Sequence, residues 1–197
     1  LWETLIDRTK VQLVGTEVLD SIATTINPDG VIALAPQVIA KMPEIANTKL
    51  SLAIERLQDP GNLGTIIRTA VATEVDCLWL SNDSASQAHP KVLRASAGEW
   101  FRLPMTVSND LSQVIKTYQQ HGIQVVATVP QANKIYWSID FRRPSLILIG
   151  NEGRGLSEEL IALADERVNI PLSNNVESLN VAIATSLLLY EARRQQR

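Results

Sequence analysis

From Lys49 onward the chain alternates short, continuously apolar runs with longer helical patterns, and this rhythm restricts the fold more than any other feature. Strand signals fall at "LSLAIE" (50–55), "CLWLSND" (77–83), "IQVVATV" (123–129), "SLILIG" (145–150) and "RVNIP" (167–171). Helical patterns lie between them at 61–73, 89–101, 110–122 and 157–164, and a long helix closes the chain. Strands that are apolar along their whole length need cover on both faces, which crossover helices give to a parallel sheet. The expected fold is therefore α/β, a mostly parallel sheet with helices on both faces. Residues 1–45 read as a short strand, a helix from about Glu17, a turn at "NPDG" (27–30) and a strand "VIALA" (31–35). That is too little chain to form a stable domain alone. A connector over 36–48 follows.

Composition excludes several classes. Hydrophobic residues make up 45% and charged residues 20% of the 197, as in ordinary globular proteins. No apolar run is long enough to span a bilayer, and no charged-then-apolar signal segment opens the chain. The first residue is Leu rather than Met, as in a processed or trimmed chain. One cysteine, Cys77, excludes an internal disulfide and suits a reducing, cytoplasmic setting; with only His89 and His121 beside it, a Cys/His zinc site is not expected. The net charge of −3 offers nucleic acid no general attraction. Its surplus sits in residues 1–45, with six acids against three bases, while residues 46–197 carry fifteen of each.

In open α/β sheets ligands sit beyond the C-terminal strand ends, and three of those loops are unusual. The first, "ERLQDPGNLGTIIRTA" (55–70), is a glycine-containing turn that opens a helix and exposes free N–H groups. Arg68 falls on the helical face of Gly61, Gly64 and Thr65, so its side chain is expected over a surface the glycines leave bare. The plain alternative makes Asn62 an N-cap and Arg68 a solvated residue. The stretch lacks the Lys-Ser/Thr pair of a P-loop. The second, "LILIGNEGRGLS" (146–157), sets Gly150, Gly153 and Gly155 around Asn151, Glu152 and Arg154, allowing close approach of backbone to a ligand or a sharp turn.

The third, "IPLSNNVESLNVAIA" (170–184), opens the final helix. Asn174 and Glu177 have the spacing of a capping box. Asn180 is harder to explain that way, because it sits among Leu179, Val181, Ala182 and Ile183 at the start of a helix apolar nearly all round. Such a helix is expected in the core or against a partner. Its closing Arg193, Arg194 and Arg197 suit a helix C-terminus. A fourth stretch, "HPKVLRASAGEWFRLP" (89–104), brings Lys91 and Arg94 to one face with Arg102 nearby, a modest basic patch or simply solvated surface.

Taken together, in order and at this spacing, the loops resemble the three motifs of the SpoU (TrmH-type) RNA ribose 2′-O-methyltransferases of the SPOUT superfamily, over residues 46–197. The resemblance implies a C-terminal deep trefoil knot, a homodimer, and S-adenosylmethionine held in the knotted loops. It implies cofactor contacts at Gly150, Ile170, Leu172 and Leu179, and a catalytic polar cluster of Asn62, Arg68, Glu152, Ser178 and Asn180. RNA contacts are expected at Lys91, Arg94 and Arg154, with neither membrane nor metal involved. Where the family often has Gly this chain has Asn174, and Asn also adopts the left-handed conformation. Residues 1–45 resemble the end of the L30e-like RNA-recognition domain that precedes many members, which favours ribosomal over transfer RNA.

Methyl transfer from a sulfonium to a hydroxyl needs alignment, a stabilised alkoxide and a proton acceptor. The family proposal gives Arg68 the role of base. A guanidinium's pKa lies above about 12, so Arg68 is read instead as a phosphate clamp that stabilises the alkoxide, with Glu152, a phosphate or water taking the proton. Two alternatives stand beside this reading: a non-catalytic RNA-binding or scaffold protein that retains the fold, and a Rossmann-type nucleotide enzyme with Asp83 as ribose ligand. The second leaves the third loop unexplained.

Overall fold

The computed structural model describes residues 11–37, 40–174 and 176–197. Packing divides the chain into two compact units, 1–37 and 38–197. In the first, helix α1 (Thr16–Ile22) begins after Gly15 and buries none of its residues. The strands expected near 11–15 and 31–35 do not form among the described residues; Leu13, Val31 and Leu34 stay exposed. A strand gains stability only from a neighbour to pair with, and these segments pair with none of the described residues.

The second unit is built on seven strands: β1 (Leu50–Ile54), β2 (Cys77–Ser81), β3 (Met105–Ser108), β4 (Gln124–Thr128), β5 (Lys134–Ile135), β6 (Ser145–Ile149) and β7 (Glu166–Asn169). Their order is β3-β2-β1-β6-β4-β7-β5, with every pairing parallel. Central β1 and β6 are buried at all five positions, which is why they read as unbroken apolar runs. Side chains alternate across the sheet. Leu50, Leu52, Ile54, Ile147 and Ile149 face one core with α2 (Pro60–Ala72), α3 (Pro90–Ala95) and α6 (Val181–Gln195). Ala53, Leu146 and Leu148 face the other with α4 (Leu111–Gln120) and α5 (Glu158–Leu163). The α/β sheet with helices on both faces is as the rhythm of the sequence predicts.

Boundaries differ in instructive places. The pattern at 89–101 predicts one helix; instead α3 stops at Ala95, Ala97 (φ 51°) and Gly98 (φ 87°) take the left-handed conformation, and a 3-10 turn covers Glu99–Phe101. Edge strand β3 is short and only partly buried, and β5 has two residues, so neither carries an apolar run that marks it in sequence. The capping box at Asn174 and Glu177 does not form. Asn174 turns the chain with a φ of 58°, and α6 starts only after Asn180, whose side chain accepts from the N–H groups of Ala182 and Ile183. No helix of the described residues is long and apolar enough to cross a membrane.

Candidate active site

Strand order reverses direction between β1 and β6: the chain steps outward through β2 and β3 on one side and fills β4, β7 and β5 on the other. The loops that leave β1 and β6 therefore meet at a switch point, where α/β sheets open a crevice for ligands. Helix α2 rises from the first loop. Its N-cap is Asp59, whose carboxylate accepts from Gly61 N–H at 2.8 Å, with Pro60 at the first helical position. The Asp-Pro pair is the start signal that a reading of Asn62 as N-cap passes over. Asn62 is thereby freed for another task.

That task joins all three loops. Asn62 donates from Nδ2 to Glu152 Oε1 at 2.9 Å, and its Oδ1 accepts from Asn180 Nδ2 at 3.0 Å. The direction of this chain is set at one end. Asn180 Oδ1 is occupied by the two helix N–H groups, so its Nδ2 points outward. Asn62 must then present Oδ1 to Asn180 and Nδ2 to Glu152, which accepts as a carboxylate does. The glutamate's second oxygen carries no hydrogen bond to the described residues and is free to accept a proton or a donor.

The loop that carries Glu152 is tightly built. Asn151 and Gly155 exchange both main-chain hydrogen bonds, at 3.1 and 2.9 Å. A Cβ on Gly150 would lie 2.2 Å from main-chain atoms of Gly155 and Leu156, so no other residue fits there. Of the other residues expected around a cofactor, Ile170 packs against the core, Leu179 is half-buried and Leu172 is 38% exposed. Among the described residues, segment 171–179 has one internal main-chain hydrogen bond, Val176 N–H to Ser173 O at 3.3 Å. Main-chain groups of this segment that have no partner among the described residues are available to a polar ligand.

Not every expected residue joins the cluster. Arg68 is exposed and has no partner among the described residues. It stands six positions beyond Asn62, about 120° around the helix and about 9 Å along it, so it lies outside the hydrogen-bonded chain. The surface beneath it is not bare. A Cβ at Gly64 would meet Ala95 Cβ at 2.5 Å and Val92 O at 2.8 Å, and one at Gly61 would meet the Lys91 side chain at 3.0 Å. These glycines let α3 lie close on α2; they do not clear a ligand site. Ser178 is exposed and makes no hydrogen bond with the described residues. Lys91 is tied to Asp59 by a 2.8 Å ion pair, and this pair with the Gly61 N–H holds the Asp59 carboxyl below its ordinary range. Arg94 and Arg154 are exposed; the Arg154 N–H goes to Asn151 Oδ1 at 3.0 Å.

Helix α6 presents two faces. Val181, Ala182, Thr185, Leu188, Leu189 and Ala192 are buried, whereas Ile183 and Tyr190 are more than half exposed and Leu187 is 36% exposed. With Tyr136 these three line a shallow apolar groove.

Comparison with known proteins identifies relatives of this chain. Residues 49–190 match the SpoU rRNA Methylase family. An uncharacterized tRNA/rRNA methyltransferase of Synechocystis is 49% identical over 93% of this chain and 67% of its own length. The 23S rRNA (guanosine(2553)-2′-O)-methyltransferase RlmP of Bacillus subtilis is 36% identical over 80% of this chain and 65% of its own. Among solved structures, the AdoMet-bound rRNA methyltransferase of Sinorhizobium meliloti superposes with a TM-score of 0.80 at 33% identity, covering 91% of this chain and 70% of that one. The SpoU methyltransferase AviRb of Streptomyces viridochromogenes, in complex with AdoMet, gives 0.70 at 34% identity over 74% and 60%. The chain thus spans about two thirds of the length of these two curated relatives.

Proposed function

The chain belongs to the SpoU rRNA methylase family, and from that premise we propose that it transfers a methyl group from S-adenosylmethionine to a ribose 2′-hydroxyl of RNA. The observation that carries the reading is the Glu152–Asn62–Asn180 chain, in which three loops far apart in sequence converge at the sheet's switch point. A scaffold that only kept the fold would have no need of an oriented carboxylate there. Bound S-adenosylmethionine supplies an electrophilic methyl group on a sulfonium. Gly150, Ile170, Leu172 and Leu179 would hold it, the glycine through main chain and the others through apolar contact. Glu152, fixed by Asn62, keeps one oxygen free to take the hydroxyl proton directly or through water.

Arg68, a guanidinium without a competing partner among the described residues, clamps a substrate phosphate and stabilises the alkoxide. Ser178 completes the polar rim, and Lys91, Arg94 and Arg154 contact the RNA backbone. Ribosomal rather than transfer RNA is the substrate we favour, and the name of RlmP, a 23S rRNA methyltransferase 36% identical to this chain, supports it. We assign the apolar groove on α6 to a second copy of the chain, residues 46–197 to the knotted catalytic domain, and residues 1–45 to the end of an L30e-like domain. The enzyme works in the cytoplasm.

Calorimetric titration with S-adenosylhomocysteine, on the wild type and on Leu179→Arg, tests the assignment. Saturable binding abolished by the substitution is expected. A folded wild type that binds none of it would leave the scaffold reading in place. Sedimentation of Leu187→Glu tests the dimer, with a monomer expected.

A further inference from the structure

The two partners of Glu152 in the hydrogen-bonded chain are held by helices, Asn62 within α2 and Asn180 at the start of α6, but Glu152 sits exposed in a loop with glycine on one side and at one remove on the other. Such a loop has much backbone freedom to lose, so something must fix it. We propose that Asn151 is the positioning residue of this site: it latches the loop to the end of β1 and thereby sets where the Glu152 carboxylate stands. This inference rests on the methyltransferase reading.

The geometry is specific. Asn151 Oδ1 accepts from the N–H groups of Gly153 (2.9 Å) and Arg154 (3.0 Å), which brackets Glu152 between bonded positions. Its Nδ2 donates to Arg56 O at 2.8 Å, across 95 residues of sequence. Its own N–H and C=O close the loop on Gly155. The receiving carbonyl is itself presented by a strained turn: Arg56 has a φ of 55°, a conformation disfavoured without glycine. That turn is pinned on both sides, by the Arg56 N–H to Ser81 Oγ at 2.7 Å and by Gln58 Nε2 donating to both Arg56 O and Asp83 O. A rigid carbonyl on the central strand's end is thus the anchor, and the carboxamide is the tie. Only a side chain with an acceptor and a donor on one short stem meets both requirements; Asp lacks the donor and Ser the reach to bridge both.

Asn151→Asp keeps the acceptor for Gly153 and Arg154 but sets a carboxylate oxygen against the Arg56 carbonyl. We expect kcat for methyl transfer to fall roughly tenfold or more, with S-adenosylhomocysteine affinity changed less than about threefold. In the double variant with Glu152→Gln the loss should be no greater than in Glu152→Gln alone, because Asn151 acts through Glu152. Additive losses, or cofactor affinity that falls in step with kcat, would overturn the assignment. Amide hydrogen exchange of Gly153 and Arg154 gives a reading independent of activity: in Asn151→Ala both should exchange at least about tenfold faster than in the wild type. Unchanged exchange would overturn the latch. A wild type with protected amides that transfers no methyl group would instead sink the functional reading and leave the latch standing.

Discussion

Asn180 donates its carboxamide N–H to Asn62 Oδ1 at 3.0 Å, while its own oxygen accepts the first free N–H groups of α6. One side chain therefore starts the last helix and orients the candidate catalytic centre, and the two tasks use its two ends. They can be separated. In Asn180→Asp the cap survives, since Asp ranks with Asn at that position, but the donor to Asn62 is lost and a second carboxylate enters the chain. Thermal stability should stay within about 0.5 kcal/mol of wild type while kcat falls roughly tenfold or more. Asn180→Ala should lose both, with about 1 kcal/mol of stability gone. Denaturation and methyl transfer measured on the same samples decide it; equal activity in Asn180→Asp would mean the Asn62 contact is only structural.

Arg68 offers the opposite case, a charged residue with no partner among the described residues. Removing an exposed, unpaired side chain changes stability by less than about 0.5 kcal/mol. Arg68→Ala should therefore unfold like the wild type and bind S-adenosylhomocysteine equally well, yet lose about 100-fold or more in kcat/KM for RNA. Arg68→Lys should recover little, because an ammonium cannot reproduce the fork that grips a phosphate. Near-full turnover of the lysine variant would show that charge alone suffices.

These two residues also show what the sequence could and could not disclose. The sheet was legible because β1 and β6 are buried on both faces and so read as unbroken apolar runs. The convergence of the three loops was legible only through family resemblance, since no spacing rule links Asn62, Glu152 and Asn180. Asn180 was read as a polar residue inside a helix, when it precedes one; the Asn174 and Glu177 pair imitates a start signal six residues too early. Asn151 lay in plain view between Gly150 and Glu152, but its value depends on the left-handed turn at Arg56, and nothing local predicts an arginine in that conformation. Edge strands β3 and β5 were missed for the ordinary reason that half-exposed segments carry weak patterns.

Gly64 is a packing residue, and a substitution tests that directly. Alanine in a helix interior normally gains about 1 kcal/mol over glycine. Here its Cβ would meet Ala95 Cβ at 2.5 Å, Val92 O at 2.8 Å and Ser96 N at 3.0 Å, two of them main-chain atoms that cannot rotate away. Overpacking of this kind costs about 1–3 kcal/mol, so it should win. Gly64→Ala is expected to lower the urea midpoint, whereas Thr65→Ala on the adjacent exposed position should leave it within about 0.5 kcal/mol. A stabilised Gly64→Ala would mean that α3 moves freely over α2.

The Asp59–Lys91 pair predicts a pH response with a definite sign. Lys91 foremost, then the Gly61 N–H, holds the Asp59 carboxyl below its ordinary value of 3.8. A carboxyl depressed in the folded state stabilises the protein above its unfolded pKa and loses that contribution as pH falls through the folded one. The window therefore opens near pH 4 and extends downward. Both partners are about half exposed, at 53% for Lys91 and 46% for Asp59, so solvent screening keeps the effect below about 1 kcal/mol. Lys91→Met should bring the Asp59 carboxyl back toward its ordinary range and lower stability at pH 7 by less than about 1 kcal/mol, a difference from the wild type that fades as pH falls from about 4 to 2. Carbon-detected titration of Asp59 in both proteins reads the shift itself. The same pair restrains the one lysine of the basic patch: Asp59→Asn keeps the helix cap and releases Lys91, so RNA affinity should rise and its salt dependence steepen by about one phosphate contact. A titration of RNA binding against salt that moved in neither respect would place Lys91 outside the RNA interface and leave it as a tether for α3.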